Sequence, residues 1–207
     1  NPAIAPMVQR PVHVMFAVSL VYLFRPLKGK GLARVPLRVL DLLAAAIPLA
    51  IGAYFIQHAQ RMQTRIIMID PVLGTDVALC IVLVVLLLEA VRRTVGWSLL
   101  AVVGFFLLYG WFGRLFPGWL RFDGIRLNDY VEMLFLSDSG IFGIPVETSL
   151  LYVFYFVLFG AIYSAIGGSR LLVELGLRLT RRQKGGAAKA AVIASSLMGT
   201  VSGSAVA

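Results

Sequence analysis

Long stretches without any charged residue constrain this chain more than any other feature. Segments 95–113 and 148–169 contain no Asp, Glu, Lys or Arg, and 77–91 contains only Glu89. A helix of about 20 predominantly apolar residues is long enough to cross a bilayer. Hydrophobic residues make up 59% of the chain, whereas soluble domains contain about 45–50%. The sequence therefore predicts an integral membrane protein.

Three further apolar segments, 12–24, 39–56 and 190–207, extend this pattern. The first has only 13 residues, so it is short for a crossing helix. The polar-leaning stretch 114–147 is expected to be the longest loop. Together the segments predict an all-α polytopic membrane protein with about five transmembrane helices plus the start of a sixth, discontinuous or re-entrant segment.

The distribution of positive charge predicts the orientation. When the connecting segments are assigned alternately to the two sides, 13 of the 19 lysines and arginines fall on one side, all of them in 25–38, 92–93 and 168–189. Lys and Arg accumulate in cytoplasmic loops. We therefore expect these basic segments to be cytoplasmic and Asn1 to lie outside. An outside start without a signal peptide also predicts a further spanning helix upstream, in a longer protein.

The end of the sixth apolar segment is rich in small and hydroxyl-bearing residues. Such residues allow helices to pack closely. They also suit a broken helix, because irregular backbone at membrane depth is tolerated only against protein or a water-filled cavity. Transporters place ion and substrate sites in such breaks. The residues concerned are Gly199, Thr200, Ser202, Gly203 and Ser204.

Charged residues inside or beside the spans are interpreted first as features of the cytoplasmic interface. Glu89 lies three and four residues before Arg92 and Arg93, a spacing that favours an ion pair at the cytoplasmic interface; a proton relay is the alternative. Segment 170–182 repeats leucine every fourth residue beside a charged stripe, with Glu174 four residues before Arg178. This pattern predicts an amphipathic helix along the cytoplasmic interface, or a lever that couples two parts of the protein.

Several function classes find no support. The net charge of +9 raises the question of nucleic acid, but no basic stripe interleaves with aromatic residues. The single cysteine, Cys80, offers neither a disulfide framework nor a metal knuckle. Motifs of nucleotide hydrolases, serine hydrolases and zinc proteases are absent from the sequence. We therefore expect a protein that is not an enzyme, needs no cofactor and binds no nucleic acid.

Four runs of residues resemble a known transporter family. Residues 185–207, GGAAKAAVIASSLMGTVSGSAVA, resemble the early part of the large membrane subunit of tripartite ATP-independent periplasmic (TRAP) transporters. Residues 140–145, GIFGIP, and 152–161, YVFYFVLFGA, resemble the TAXI branch of that family. Residues 87–96, LLEAVRRTVG, resemble the small-subunit region that many TAXI members fuse to the large subunit.

The resemblance implies a function and a division of the chain. Such transporters import organic anions, chiefly carboxylates, across the inner membrane with a sodium gradient, after an extracytoplasmic solute-binding protein has delivered the substrate. An elevator mechanism moves a transport domain against a scaffold. By resemblance, 1–133 are small-subunit-like scaffold helices, and 134–207 begin the transport part, whose remainder lies elsewhere in the large subunit.

The resemblance also suggests where ligands bind. Gly199, Thr200, Ser202, Gly203 and Ser204 are the candidate substrate and ion region, with sodium, the coupling ion, near Ser202 and Ser204. Close helix packing explains these residues equally well. Two other classes remain open from the sequence: an unrelated secondary permease or channel, and a non-transporting membrane scaffold or assembly subunit.

Overall fold

The computed structural model describes residues 6–27, 34–182 and 184–202, and within them it contains helices and turns but no strand. Asn1, Gly203, Ser204 and the middle of the basic segment 25–38 lie outside the described residues. The chain divides into two compact units, Asn1–Val146 (unit 1) and Glu147–Ala207 (unit 2). The helices are α1 (Pro6–Phe24), α2 (Arg34–Gln57), α3 (Ala59–Thr64), α4 (Gly74–Thr94), α5 (Trp97–Phe112), α6 (Leu127–Phe135), α7 (Ile144–Thr148), α8 (Phe154–Ala165), α9 (Gly168–Thr180) and α10 (Gly186–Ser202).

Five of the helical segments are long and apolar enough to cross a membrane, which confirms the all-α polytopic prediction. The spans are Pro6–Phe24, Val35–Gln57, Gly74–Thr94, Trp97–Leu115 and Ile144–Ala165. The last is α7 and α8 joined by a π-helical turn, Ser149–Val153. The sixth apolar segment forms a shorter apolar helix, Gly186–Gly199.

The first span is longer than the sequence suggested. It begins at Pro6 rather than at residue 12 and has 19 residues. A charged residue, Arg10, precedes the apolar segment in the sequence and lies inside the helix in the structure. In the structure Arg10 is buried and its guanidinium donates a hydrogen bond to the carbonyl of Phe142 at 3.3 Å. A charged side chain that is paired in this way can be accommodated within a span.

Aromatic side chains form the centre of unit 1. The ring of Phe55 in α2 lies 4.9 Å from that of Phe135 and 5.4 Å from that of Phe142, and all three side chains are fully buried. The prediction that 114–147 is simply a loop was therefore wrong. This stretch contains α6, whose apolar residues recur with helical spacing, and it supplies two of the three core rings.

Unit 2 contains α8, α9 and α10. A turn at Gly185, with φ of +72°, separates α9 from α10. This conformation favours glycine, because other residues meet a steric penalty at positive φ. The helix α10 starts at Gly186, includes Lys189 and continues without a break through Gly199 to Ser202. The expected break in the helix is therefore not at 199–202, since alanine, leucine and methionine before it favour helix.

Candidate functional site

The structure places the backbone of three of the five candidate binding residues in one helical turn. Gly199, Thr200 and Ser202 belong to α10, and Gly199 is half-buried. Gly203 and Ser204 lie outside the described residues, so the candidate site is described only up to Ser202. The assignment of substrate or sodium to these five residues stays a prediction.

The helix that carries these residues packs very closely on α9. A Cβ atom added to Gly176 would lie 2.9 Å from the carbonyl oxygen of Ala190, and one added to Gly186 would lie 2.5 Å from the carbonyl oxygen of Thr180. Ala190 and Ala194, on the facing side of α10, are buried. The hydroxyl of Thr180 donates to the carbonyl of Gly176 at 2.9 Å. Small residues therefore let the two backbones touch, as they do in membrane helix pairs.

A cluster of four charged side chains joins α2 and α4 at their predicted cytoplasmic ends. Arg93 donates to Asp41 at 2.6 Å and to Glu89 at 2.7 Å. Glu89 also accepts two hydrogen bonds from Arg92, at 2.6 and 2.7 Å. The expected pairing of Glu89 with both arginines is thus confirmed. The guanidinium of Arg93 lies 4.5 Å from the centre of the Tyr22 ring in α1, a cation–π contact.

The pairing of Asp41 with Arg93 is the contact in this charge cluster that sequence analysis missed. The side chain of Asp41 is 3% exposed, and besides Arg93 it accepts a hydrogen bond from the backbone N–H of Leu27 at 2.8 Å. Asp41 and Arg93 are 52 residues apart, so no local spacing revealed the pair. The sequence nevertheless contains a signal for this pair. An acid within a span needs a cation at the same depth, and both Asp41 and Arg93 belong to the predicted cytoplasmic side.

A second polar group ties helices together at the other end of α4. The fully buried carboxylate of Asp76 accepts hydrogen bonds from Tyr54 at 2.7 Å and from the backbone of Leu73 at 3.1 Å, and it pairs with Arg61. Burial by itself would lower the pKa of Arg61, but its hydrogen bonds to Asp76 and Tyr54 outweigh burial and raise that pKa.

A third ion pair anchors α6. Arg65 donates to Glu132 at 3.0 Å, and the two side chains are 3% and 6% exposed. Glu132 also accepts from the backbone N–H of Met68 at 2.9 Å. Because these partners are about 65 residues apart in sequence, the pairing follows from the fold alone. The three polar groups thus join α1, α2, α3 and α4 to one another, and α6 to the segment that follows α3, all within unit 1.

These features define the class of protein as a polytopic α-helical membrane protein. Residues 82–207 match the family described as tripartite ATP-independent periplasmic transporter, DctM component. The matched region is more than half of the chain, so the chain belongs to the TRAP transporter family. No curated protein and no solved structure matches it.

Membership of the TRAP transporter family narrows the classes of protein that the sequence left open. The chain is a membrane component of a TRAP-type secondary transporter rather than part of an unrelated permease or channel, and the family implies an extracytoplasmic solute-binding partner. The match includes 87–96, the region that resembles a fused small subunit. The TAXI type, the fused arrangement and the expected boundary at 133/134 stay predictions.

Proposed function

We propose that this chain is part of the permease of a sodium-driven transporter that imports organic anions, chiefly carboxylates, delivered by an extracytoplasmic solute-binding protein. The observation that carries the proposal is the family match over residues 82–207. The five apolar spans support it, because secondary transporters are built from bundles of such helices. Coupling to sodium fits a chain whose candidate region offers hydroxyl groups and backbone carbonyls, since sodium is bound by oxygen ligands.

An elevator mechanism assigns different tasks to different parts of the chain. In our proposal, 1–133 belong to the fixed scaffold, and 134–207 begin the transport part. The ion pairs Asp41–Arg93 and Arg65–Glu132 support a scaffold role for the first region, because each joins segments that are far apart in sequence. A rigid frame needs such long-range connections.

The ligand region proposed here comprises Gly199, Thr200, Ser202, Gly203 and Ser204. Sodium would be held near Ser202 and Ser204 by hydroxyl and backbone oxygens. An anionic substrate would be favoured near the positive N-terminal end of a half-helix. Gly203 would permit the close backbone approach that such a site requires.

Uptake by the complete permease in proteoliposomes tests this function. With its solute-binding protein and a carboxylate substrate present, we expect uptake when sodium is higher outside than inside, and none when the sodium gradient is absent. Gly203→Leu should abolish uptake. The matched control is Gly104→Leu in α5, where an added Cβ meets no atom within 4 Å and uptake should persist. Uptake that ignores sodium would contradict the coupling, and full uptake by Gly203→Leu would contradict the site.

Orientation in the inner membrane is a separate part of the proposal. We place the basic segments 25–38, 92–93 and 168–189 in the cytoplasm and Asn1 outside. Arg181→Cys and Arg121→Cys provide a matched pair, because both arginines are exposed and they belong to opposite predicted sides. In intact cells a membrane-impermeant maleimide should label only Arg121→Cys. Labelling of Arg181→Cys alone would reverse the topology.

A further inference from the structure

The helix α9 presents four distinct surfaces: one buried, one charged and two apolar and exposed. Gly168, Leu172, Gly176 and Thr180 are buried, and Gly176 contacts the backbone of α10. Leu171, Leu175 and Leu179 are 63%, 44% and 59% exposed. The leucine spacing predicts that this stripe is the apolar face of an amphipathic helix, but a different face, the one that contains Gly176, packs on α10.

The charged residues of α9 lie opposite its seam with α10. Successive residues of an α-helix are rotated by about 100°, which places Arg170, Glu174 and Arg178 on the side away from Gly176. The leucine stripe lies on one flank between these two sides, and Val173 and Leu177, both 48% exposed, lie on the other. A helix with one polar stripe and two apolar flanks fits the boundary between lipid headgroups and acyl chains.

The arginines near the end of α9 are available to an external anion. Glu174 pairs with Arg170 at 3.1 Å rather than with Arg178, the partner that the sequence spacing suggested. Arg178, Arg181 and Arg182 are exposed, and among the described residues the structure gives them no ion pair. Between 170 and 189 the chain carries six lysines and arginines but one acid. Basic groups beside a membrane attract anionic lipids.

An apolar groove continues the leucine flank onto α10. It has a volume of about 590 Å³ and is lined by Leu179, Thr180, Ala188, Lys189, Val192 and Ile193. Val192 is 66% exposed. The groove therefore adds apolar surface at the C-terminal end of α9, where Arg178 and Arg181 are exposed. A phospholipid likewise combines an anionic head with apolar chains.

We propose that α9 is a binding site for anionic phospholipid, with its leucine flank in the acyl region and Arg178 and Arg182 on the lipid phosphates. The site lies outside the proposed ligand region of 199–204. Its chemistry depends on surface charge and apolar flanks, so it stands whether or not transport is coupled to sodium. Anionic lipid at this helix would fix the position of the connector between α8 and α10.

Fluorescence quenching tests the proposal directly. The complete permease carries Leu175→Cys as the sole labelled cysteine, with Cys80 and other cysteines replaced by alanine, and an environment-sensitive fluorophore attached. It is reconstituted in nanodiscs of phosphatidylcholine containing a fixed fraction of either brominated phosphatidylglycerol or brominated phosphatidylcholine. We expect stronger quenching by brominated phosphatidylglycerol, corresponding to a preference of about fivefold for each arginine engaged. High salt should reduce this preference.

Matched arginine variants separate local binding from net charge. Arg178→Gln/Arg182→Gln should remove the preference for phosphatidylglycerol. Arg121→Gln/Arg126→Gln removes the same charge from other exposed positions and should leave the preference intact. Equal quenching by both lipids in the unmutated protein would overturn the anionic specificity. Absence of quenching by either would mean that protein rather than lipid covers the leucines, and it would overturn the site. The salt series on the unmutated protein decides the matter even if a variant does not fold.

Discussion

In unit 1, side chains of one helix reach polar groups of another, whereas in unit 2 close backbone contact joins α9 to α10. Arg93 reaches Asp41 across 52 residues, and Ser19 in α1 donates to the carbonyl of Ala45 in α2 at 2.8 Å. In unit 2 the hydrogen bonds of Thr180 and Arg170 connect residues four apart, and the one between Ser164 in α8 and Ser169 in α9 connects residues five apart. Buried hydrogen bonds and ion pairs between helices specify one arrangement of those helices. Interfaces formed by packing alone permit small sliding motions of one helix along another. The contrast supports our proposal that 1–133 belong to a fixed scaffold and that unit 2 lies within the transport part.

Removing one partner of the buried pair in unit 1 should have the largest effect. Arg93→Met leaves the carboxylate of Asp41 buried without its cation, and breaking such a pair costs about 3–5 kcal/mol. We expect a large drop in the midpoint of thermal unfolding in detergent. Arg92→Met is the matched control, because Arg92 is 29% exposed and Glu89 keeps Arg93 as a partner, so the midpoint should fall far less than in Arg93→Met.

A double variant separates the loss of charge pairing from the loss of packing. Asp41→Asn/Arg93→Met removes the buried charge together with its partner. It should recover a substantial part of the stability that Arg93→Met loses, since the cost arises mainly from the uncompensated carboxylate. Equal destabilisation by Arg92→Met and Arg93→Met would show that the buried pair does not hold unit 1 together.

Adding a single methyl group at the interface between α9 and α10 should have an intermediate effect on stability. Gly176→Ala places a Cβ 2.9 Å from the carbonyl oxygen of Ala190, so α9 and α10 must separate. Overpacking of this kind costs about 1–3 kcal/mol. Gly104→Ala in α5 is the control, because its Cβ meets nothing within 4 Å and alanine favours helix by up to about 1 kcal/mol. Thermal unfolding should distinguish the two, and identical midpoints would argue against a close-packed seam.

Loss of one hydroxyl hydrogen bond between α1 and α2 should have the smallest measurable effect on stability. Ser19 is buried, and its hydroxyl contacts the carbonyls of Met15 and Ala45, each at 2.8 Å. Ser19→Ala should cost about 0.6 kcal/mol, the average for hydrogen bonds between membrane helices. Ser195→Ala on the exposed side of α10 should have no effect. A larger loss of stability in Ser195→Ala than in Ser19→Ala would contradict the view that side-chain hydrogen bonds between helices matter more in unit 1 than in unit 2.

The sequence predicted the spans well and the connections between them poorly. Hydropathy located all five crossing segments, because apolar composition over about 20 residues is a local property. The local pair of Glu89 with Arg92 and Arg93 was predicted for the same reason. Arg65–Glu132 and Arg93–Asp41 were missed, since partners 52 to 67 residues apart meet only in the folded chain.

The candidate ligand region was likewise predictable only in part. Its small residues were evident in the sequence, and the resemblance to TRAP transporters suggested their role. The continuation of helix through Ser202 was not evident, because glycine and serine near a helix end are compatible with both a break and a packed helix. The orientation of the leucine stripe on α9 also depended on which face packs against α10.

The most direct test asks whether α1 and α2 move relative to each other during transport. An added Cβ at Gly52 in α2 would lie 3.5 Å from the Cβ of Met15 in α1, within the range of a disulfide. Sodium-driven uptake is measured for the complete permease carrying Met15→Cys/Gly52→Cys, with Cys80→Ala, before and after oxidation. We expect equal uptake in the cross-linked and reduced states, because in our proposal these helices belong to the fixed scaffold. Loss of uptake on oxidation that is restored by a reductant would contradict it.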